Sequence, residues 1–117
     1  MQPANLVKLQ AAFEPYNPRH RMAKPPTPFT REDAESGRFK NIYLQTDLGQ
    51  LDCLGDVKGI GGYDTVLQRS VELDMQTFRL RVIALDALIE AKEAMGRPRD
   101  LENVKILRAI QERQATN

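Results

Sequence analysis

Near the amino terminus, Leu6, Leu9 and Phe13 recur at helical spacing and Pro3 suits a first turn, which predicts a helix over Pro3 to Glu14. The periodicity then stops. Pro15, Pro18, Pro25, Pro26 and Pro28 crowd one stretch, and proline fixes its own φ while turning the preceding residue away from helix. Residues 15–30 therefore read as an extended connector. Thr30-Arg-Glu-Asp33 resembles a capping box with Asp in place of Glu, and Gly37 is placed to end the short helix it would start. Asn41–Thr46 and Gln50–Leu54 read as two strands around the turn Asp47-Leu-Gly49. A glycine-rich loop, Gly55–Gly62, leads into a short helix over Tyr63–Ser70, and Val71–Met75 pairs with Phe78–Ile83 across Gln76-Thr77. Two helices follow, Leu85–Ala94 and Leu101–Gln114, with Gly96 as a left-handed cap and Asp100 as the N-cap of the last. The pattern predicts an α+β fold: a small mixed or antiparallel sheet of two hairpins packed against helices.

Composition narrows the function more than the fold. At 117 residues the chain is the size of one domain, and 41% hydrophobic with 28% charged residues is globular composition, not disorder. Its 17 Lys and Arg against 16 Asp and Glu give +1, so no global field recruits nucleic acid or an anionic membrane. Cys53 is the sole cysteine and His20 the sole histidine, which excludes an intrachain disulfide and any multi-thiolate or multi-histidine metal centre. No apolar run approaches the ~20 residues of a membrane span, and MQPANLVKLQ lacks the order of a secretory signal. A cytoplasmic protein is the expectation.

Several positions can carry chemistry, and each has a plainer reading. Asp52 lies between apolar neighbours in Leu51-Asp-Cys-Leu54, as a metal or proton-accepting carboxylate or as a solvated residue on the outer face of a hairpin. Lys92 falls on the stripe of Leu85, Leu88 and Ile89, to meet a phosphate or carboxylate, or to snorkel. Arg97 and Arg99 flank Pro98 before Asp100; their forks suit phosphate, or else they bind carbonyls and neighbouring acids in a helix linkage. Glu72 and Asp74 share a strand face, as metal ligands or as an edge in solvent. Gly59-Ile-Gly-Gly62 invites a phosphate-loop reading, but its glycines are misplaced for G-x-G-x-x-G. Arg19, His20, Arg21 and Lys24 form a local basic cluster, to brush a phosphate backbone or simply to be solvated. Cys53 alternates with Asp52 and so faces the opposite side, toward helices.

Taken in order, Phe39 to Gly55, Val57 to Tyr63, Leu85 to Lys92 and Gly96 to Leu101 resemble the C-terminal part of a minimal nucleotidyltransferase of the DNA-polymerase-beta-like superfamily. The likeness is to the branch containing the toxins of bacterial abortive-infection and toxin–antitoxin systems. The resemblance implies that Asp52 is the third carboxylate of a magnesium or manganese site. It also implies that Lys92 and the Gly96–Asp100 turn, with Arg97, Arg99 and Asp100, support the nucleotide phosphates.

The same likeness implies a preceding Gly-Ser turn and Asp-x-Asp strand, and neither occurs in this sequence. The chain then reads as a single nucleotidyltransferase-like domain without its catalytic front: helix 1–14, connector 15–30, then sheet and C-terminal helices over 39–117. Two-metal phosphoryl transfer needs several ligands, so the expectation is a truncated or degenerate domain, inactive alone and binding nucleoside triphosphate weakly. The alternative is an interaction module whose exposed sheet edge recruits a second copy or a partner chain.

Overall fold

A computed structural model describes residues 1–116, which divide into two units, Met1–Gly55 and Asp56 onward. The fold is α+β, with five helices and antiparallel sheets of four, two and two strands.

In the first unit, helix α1 (Pro3–Phe13) runs into a single 3-10 turn, Glu14–Tyr16. The connector is not merely extended. It contributes β1 (Arg19–His20) and β2 (Thr27–Pro28), which add to the hairpin of β3 (Asn41–Thr46) and β4 (Gly49–Leu54) in the order β2-β1-β3-β4. The prolines permit this because only Pro28 enters a strand, and that strand lies at the sheet edge, where a missing N–H breaks no ladder. Helix α2 (Arg31–Glu35) opens on the expected capping box, Asp33 N–H donating to Thr30 Oγ1 at 3.1 Å and Thr30 N–H to Asp33 Oδ2 at 3.2 Å. Strict alternation along β3 buries Ile42, Leu44 and Thr46. Ile42 and Leu44 join Leu6, Phe29 and Ala34 in one core, with Leu51 and Cys53 of β4 packed half-buried against it. Each large apolar side chain buried this way stabilises the unit by about 1.5–3 kcal/mol.

The second unit holds the short pair β5 (Asp56–Val57) and β6 (Gly61–Gly62), helix α3 (Tyr63–Gln68), the hairpin β7 (Ser70–Asp74) and β8 (Arg79–Ile83), and helices α4 (Leu85–Met95) and α5 (Pro98–Thr116). The two predicted hairpins thus enter separate sheets; β7 and β8 pair only with each other. Helices α4 and α5 pack against each other, and Ala87, Ile89 and Ala91 of α4 and Val104 of α5 are buried. Gly59 adopts φ +84°, and a Cβ there would stand 2.5 Å from that of Ala94, so the glycine loop lies flat on α4. Close packing, not phosphate binding, accounts for that glycine.

Gly96 caps α4 in the left-handed conformation, φ 68°, as expected. The start of α5 differs from the expectation. The helix begins at Pro98, because proline already has the φ of a first helical turn and needs no N–H there. Asp100 is therefore inside the first turn rather than its N-cap.

Candidate functional site

Asp52 sits on the exposed face of β4, opposite Tyr43 of β3. Neighbouring β1 continues to Arg21, whose N–H donates to the Tyr43 carbonyl at 3.1 Å. That link carries the Arg21 side chain back over the hairpin. Its guanidinium is forked onto Asp52, with Nη1 on Oδ1 and Nη2 on Oδ2 at 3.1 Å. Its Cζ also lies 5.2 Å from the centre of the Tyr43 ring. The Tyr43 hydroxyl accepts from Asn41 Nδ2 at 3.2 Å, and Asn41 Oδ1 in turn accepts the Gly55 N–H at 2.9 Å. Asp52 thus faces outward from the hairpin, with an arginine as its partner.

Two further basic residues of the connector are likewise taken up. Arg19 pairs with Asp47 at 3.3 Å, and His20 Nε2 donates to Asp33 Oδ2 at 3.0 Å. Phe39 stacks on the His20 ring at 5.3 Å and Phe29 meets it edge-on, and His20, Asp33 and Phe39 border a cleft of about 440 Å³. Burial pushes the Asp33 carboxyl up, but hydrogen bonds from His20 and Thr30 and the charges of His20 and Arg38 outweigh it and leave it below the ordinary range. Three residues of the predicted basic cluster, Arg19, His20 and Arg21, thus pair with acids of the β3–β4 turn, helix α2 and strand β4.

The residues implied for phosphate contact lie in the second unit, where the structure brings three of the four together. Asp100 is 1% exposed; Arg97 Nε donates to its Oδ2 at 2.6 Å and Lys92 Nζ stands 3.7 Å from its Oδ1. The Arg97 hydrogen bond is the leading cause that holds the Asp100 carboxyl below the usual aspartate range; it outweighs desolvation, and the backbone N–H of Arg97 and the charge of Lys92 add to it. An aspartate three residues into a helix, reaching back to the preceding N–H, is half of a capping box. The fourth residue, Arg99, is exposed on the first turn of α5. Glu72 is paired with Arg79 at 3.0 Å and Arg81 at 3.8 Å, and Asp74 stands opposite Arg79 in the ladder, so both acids belong to a solvent face.

The donor set does not fit a divalent cation. Among the described residues no three His, Cys, Asp or Glu side chains gather closely enough to hold one. Both Asp52 carboxylate oxygens are engaged by the N–H donors of Arg21, whose charge repels a metal. Burial raises the Cys53 thiol, with the Asp52 charge adding to the effect, which makes it an inert packing group. Sequence spacing placed Arg21 in a basic cluster but missed that it partners Asp52, since it reaches that residue across 31 positions and only the β1–β3 pairing joins them. No helix among the described residues is long and apolar enough to cross a membrane. No protein-family model, curated protein or solved structure matches the chain.

Proposed function

We propose that the chain is a cytoplasmic, nucleotidyltransferase-like domain in which Asp52 stands as the later carboxylate, and that it transfers nothing by itself. The observation that carries this reading is the position of Asp52. It stands on the outward face of β4, an edge strand of the four-stranded sheet. A further strand laid along that edge would bring alternate side chains beside the carboxylate, which is what a strand bearing Asp-x-Asp has to do. Arg97 and Lys92 keep cationic groups at the α4–α5 turn, each partly exposed while sharing Asp100.

Nucleotide contact through a few such charges is weak, saturating at about millimolar concentration. Titrating magnesium nucleoside triphosphate into labelled protein is expected to shift the amides of residues 92–101, and Lys92→Ala with Arg99→Ala to remove the shift. Absence of any shift at tens of millimolar, on the order of the weakest exposed contacts, overturns the reading.

A second reading, an interaction module, draws on the β7–β8 hairpin. Val71, Leu73, Met75, Phe78 and Leu80 are 46%, 42%, 46%, 55% and 40% exposed. Val71 faces Val82 and Leu73 faces Leu80 on the side opposite the Glu72–Arg81 pair. A second copy is the expected cover, so the protein should sediment as an oligomer at micromolar concentration. A clean monomer counts against it.

A further inference from the structure

We infer that Arg21 is an internal cation that closes Asp52 to divalent metal, so that the guanidinium and a metal ion compete for one carboxylate. The inference rests on reading Asp52 as the later carboxylate of a nucleotidyltransferase-type site, and it names what holds that site shut.

Three constraints act on this one side chain. The Arg21 main chain is tied to β3 through the Tyr43 carbonyl. The guanidinium occupies both Asp52 oxygens at once. Its Cζ lies over the Tyr43 ring, whose electron-rich face attracts a cation. The arginine side chain is left 22% exposed and the aspartate 36%, so the pair is half-sheltered rather than loose in solvent.

Magnesium or manganese prefers oxygen ligands in a near-octahedral shell and gives up water reluctantly. Here both oxygens are already engaged, and what surrounds them is a planar array of N–H donors bearing positive charge. A metal therefore has to expel the guanidinium before it gains even one carboxylate. The fork matters as much as the charge. A lysine at position 21 would reach the carboxylate as a point charge, cover one oxygen at a time and lie less readily on the ring. An exposed bidentate pair together with a ring contact disfavours the competing ion by about five- to tenfold.

The test uses manganese alone, read as paramagnetic broadening of the Tyr43, Asp52 and Cys53 amides in the full-length labelled protein. Arg21→Gln is expected to reach half-broadening at about a five- to tenfold lower manganese concentration than the unmodified chain, following the same pair energetics. Arg21→Lys should fall between them, and Arg21→Gln with Asp52→Asn should abolish the effect. Arg21 follows β1 and Asp52 lies on the outer face of the hairpin, both side chains partly exposed, and a dispersed amide spectrum checks that each variant is folded. Equal manganese response in the unmodified chain and Arg21→Gln overturns the inference, as does broadening that persists without Asp52. Because no nucleotide is present, failure here is distinct from failure of nucleotide to bind at residues 92–101.

Discussion

The two units are stabilised by different means. Residues 1–55 bury large side chains: Phe29, Ile42 and Leu44 are each 2% exposed or less, on one four-stranded sheet. Residues 56–116 bury small ones, Ala87, Ala91 and Val104 with Ile89, together with the charged Asp100, while the large apolar residues of the β7–β8 hairpin stay exposed. Ion pairs join the elements of the second unit as well. Arg69 reaches both Asp86 and Glu90, Arg108 pairs with Glu93 at 2.7 Å, and Arg97 and Lys92 share Asp100. The contrast teaches where a polar residue is structural and where an apolar one is unfinished. A buried carboxylate with two cations is a joint between helices. A two-stranded ribbon with one apolar face has marginal stability unless something covers it.

The comparison breaks most readily in the first unit. Phe29→Ala or Leu44→Ala should cost about 3–5 kcal/mol in urea denaturation, since each empties a filled core position. Leu80→Ala in the hairpin should cost less than about 1 kcal/mol, because little burial is lost. Similar losses at the two places would erase the distinction.

Next in size is Asp100. A carboxyl held below its unfolded value contributes stability that is complete above about pH 3.9 and is lost as pH falls through the lowered value. The melting temperature should therefore drop on acidification below that range, and Asp100→Asn should lower it at neutral pH while flattening the acid limb. An unchanged limb would mean that Arg97 and Lys92 do not stabilise the ionised form. Cys53→Ser comes third, at about 1 kcal/mol, because a half-buried thiol against the core gives way to a hydroxyl with less apolar contact. Nucleotide affinity should not move with it. Smallest is Glu72→Gln, which removes surface pairs to Arg79 and Arg81 and should stay within about 0.5 kcal/mol.

Much of the fold was legible because local rules set it. Alternation marked β3 and β4, helical spacing marked α1 and α4, and the Thr30 box and Gly96 marked their boundaries. What stayed hidden was set by distant pairing. Strands β1 and β2 have two residues each, too short for any periodicity, and prolines around them point toward loop. The start of α5 turned on a competition between two good helix-start residues, Pro98 and Asp100, and the proline prevailed. For function, the sequence pointed to Asp52 in the first unit and to Lys92, Arg97, Arg99 and Asp100 in the second. It did not disclose that Arg21 faces Asp52, since that contact depends on the register of Arg19 with Gln45 and Tyr43 with Asp52. The partners, not the residues, were missing.

The most direct measurement is nucleotidyl transfer itself. Purified chain, incubated with magnesium or manganese, labelled nucleoside triphosphates and candidate RNA or protein acceptors, is predicted to transfer no label. Release of the carboxylate by Arg21→Gln should improve manganese binding and still give no transfer, because one carboxylate does not hold a pair of cations. Transfer by the unmodified chain that disappears in Asp52→Asn would contradict this. It would mean that the carboxylate held by Arg21 serves in a complete catalytic site.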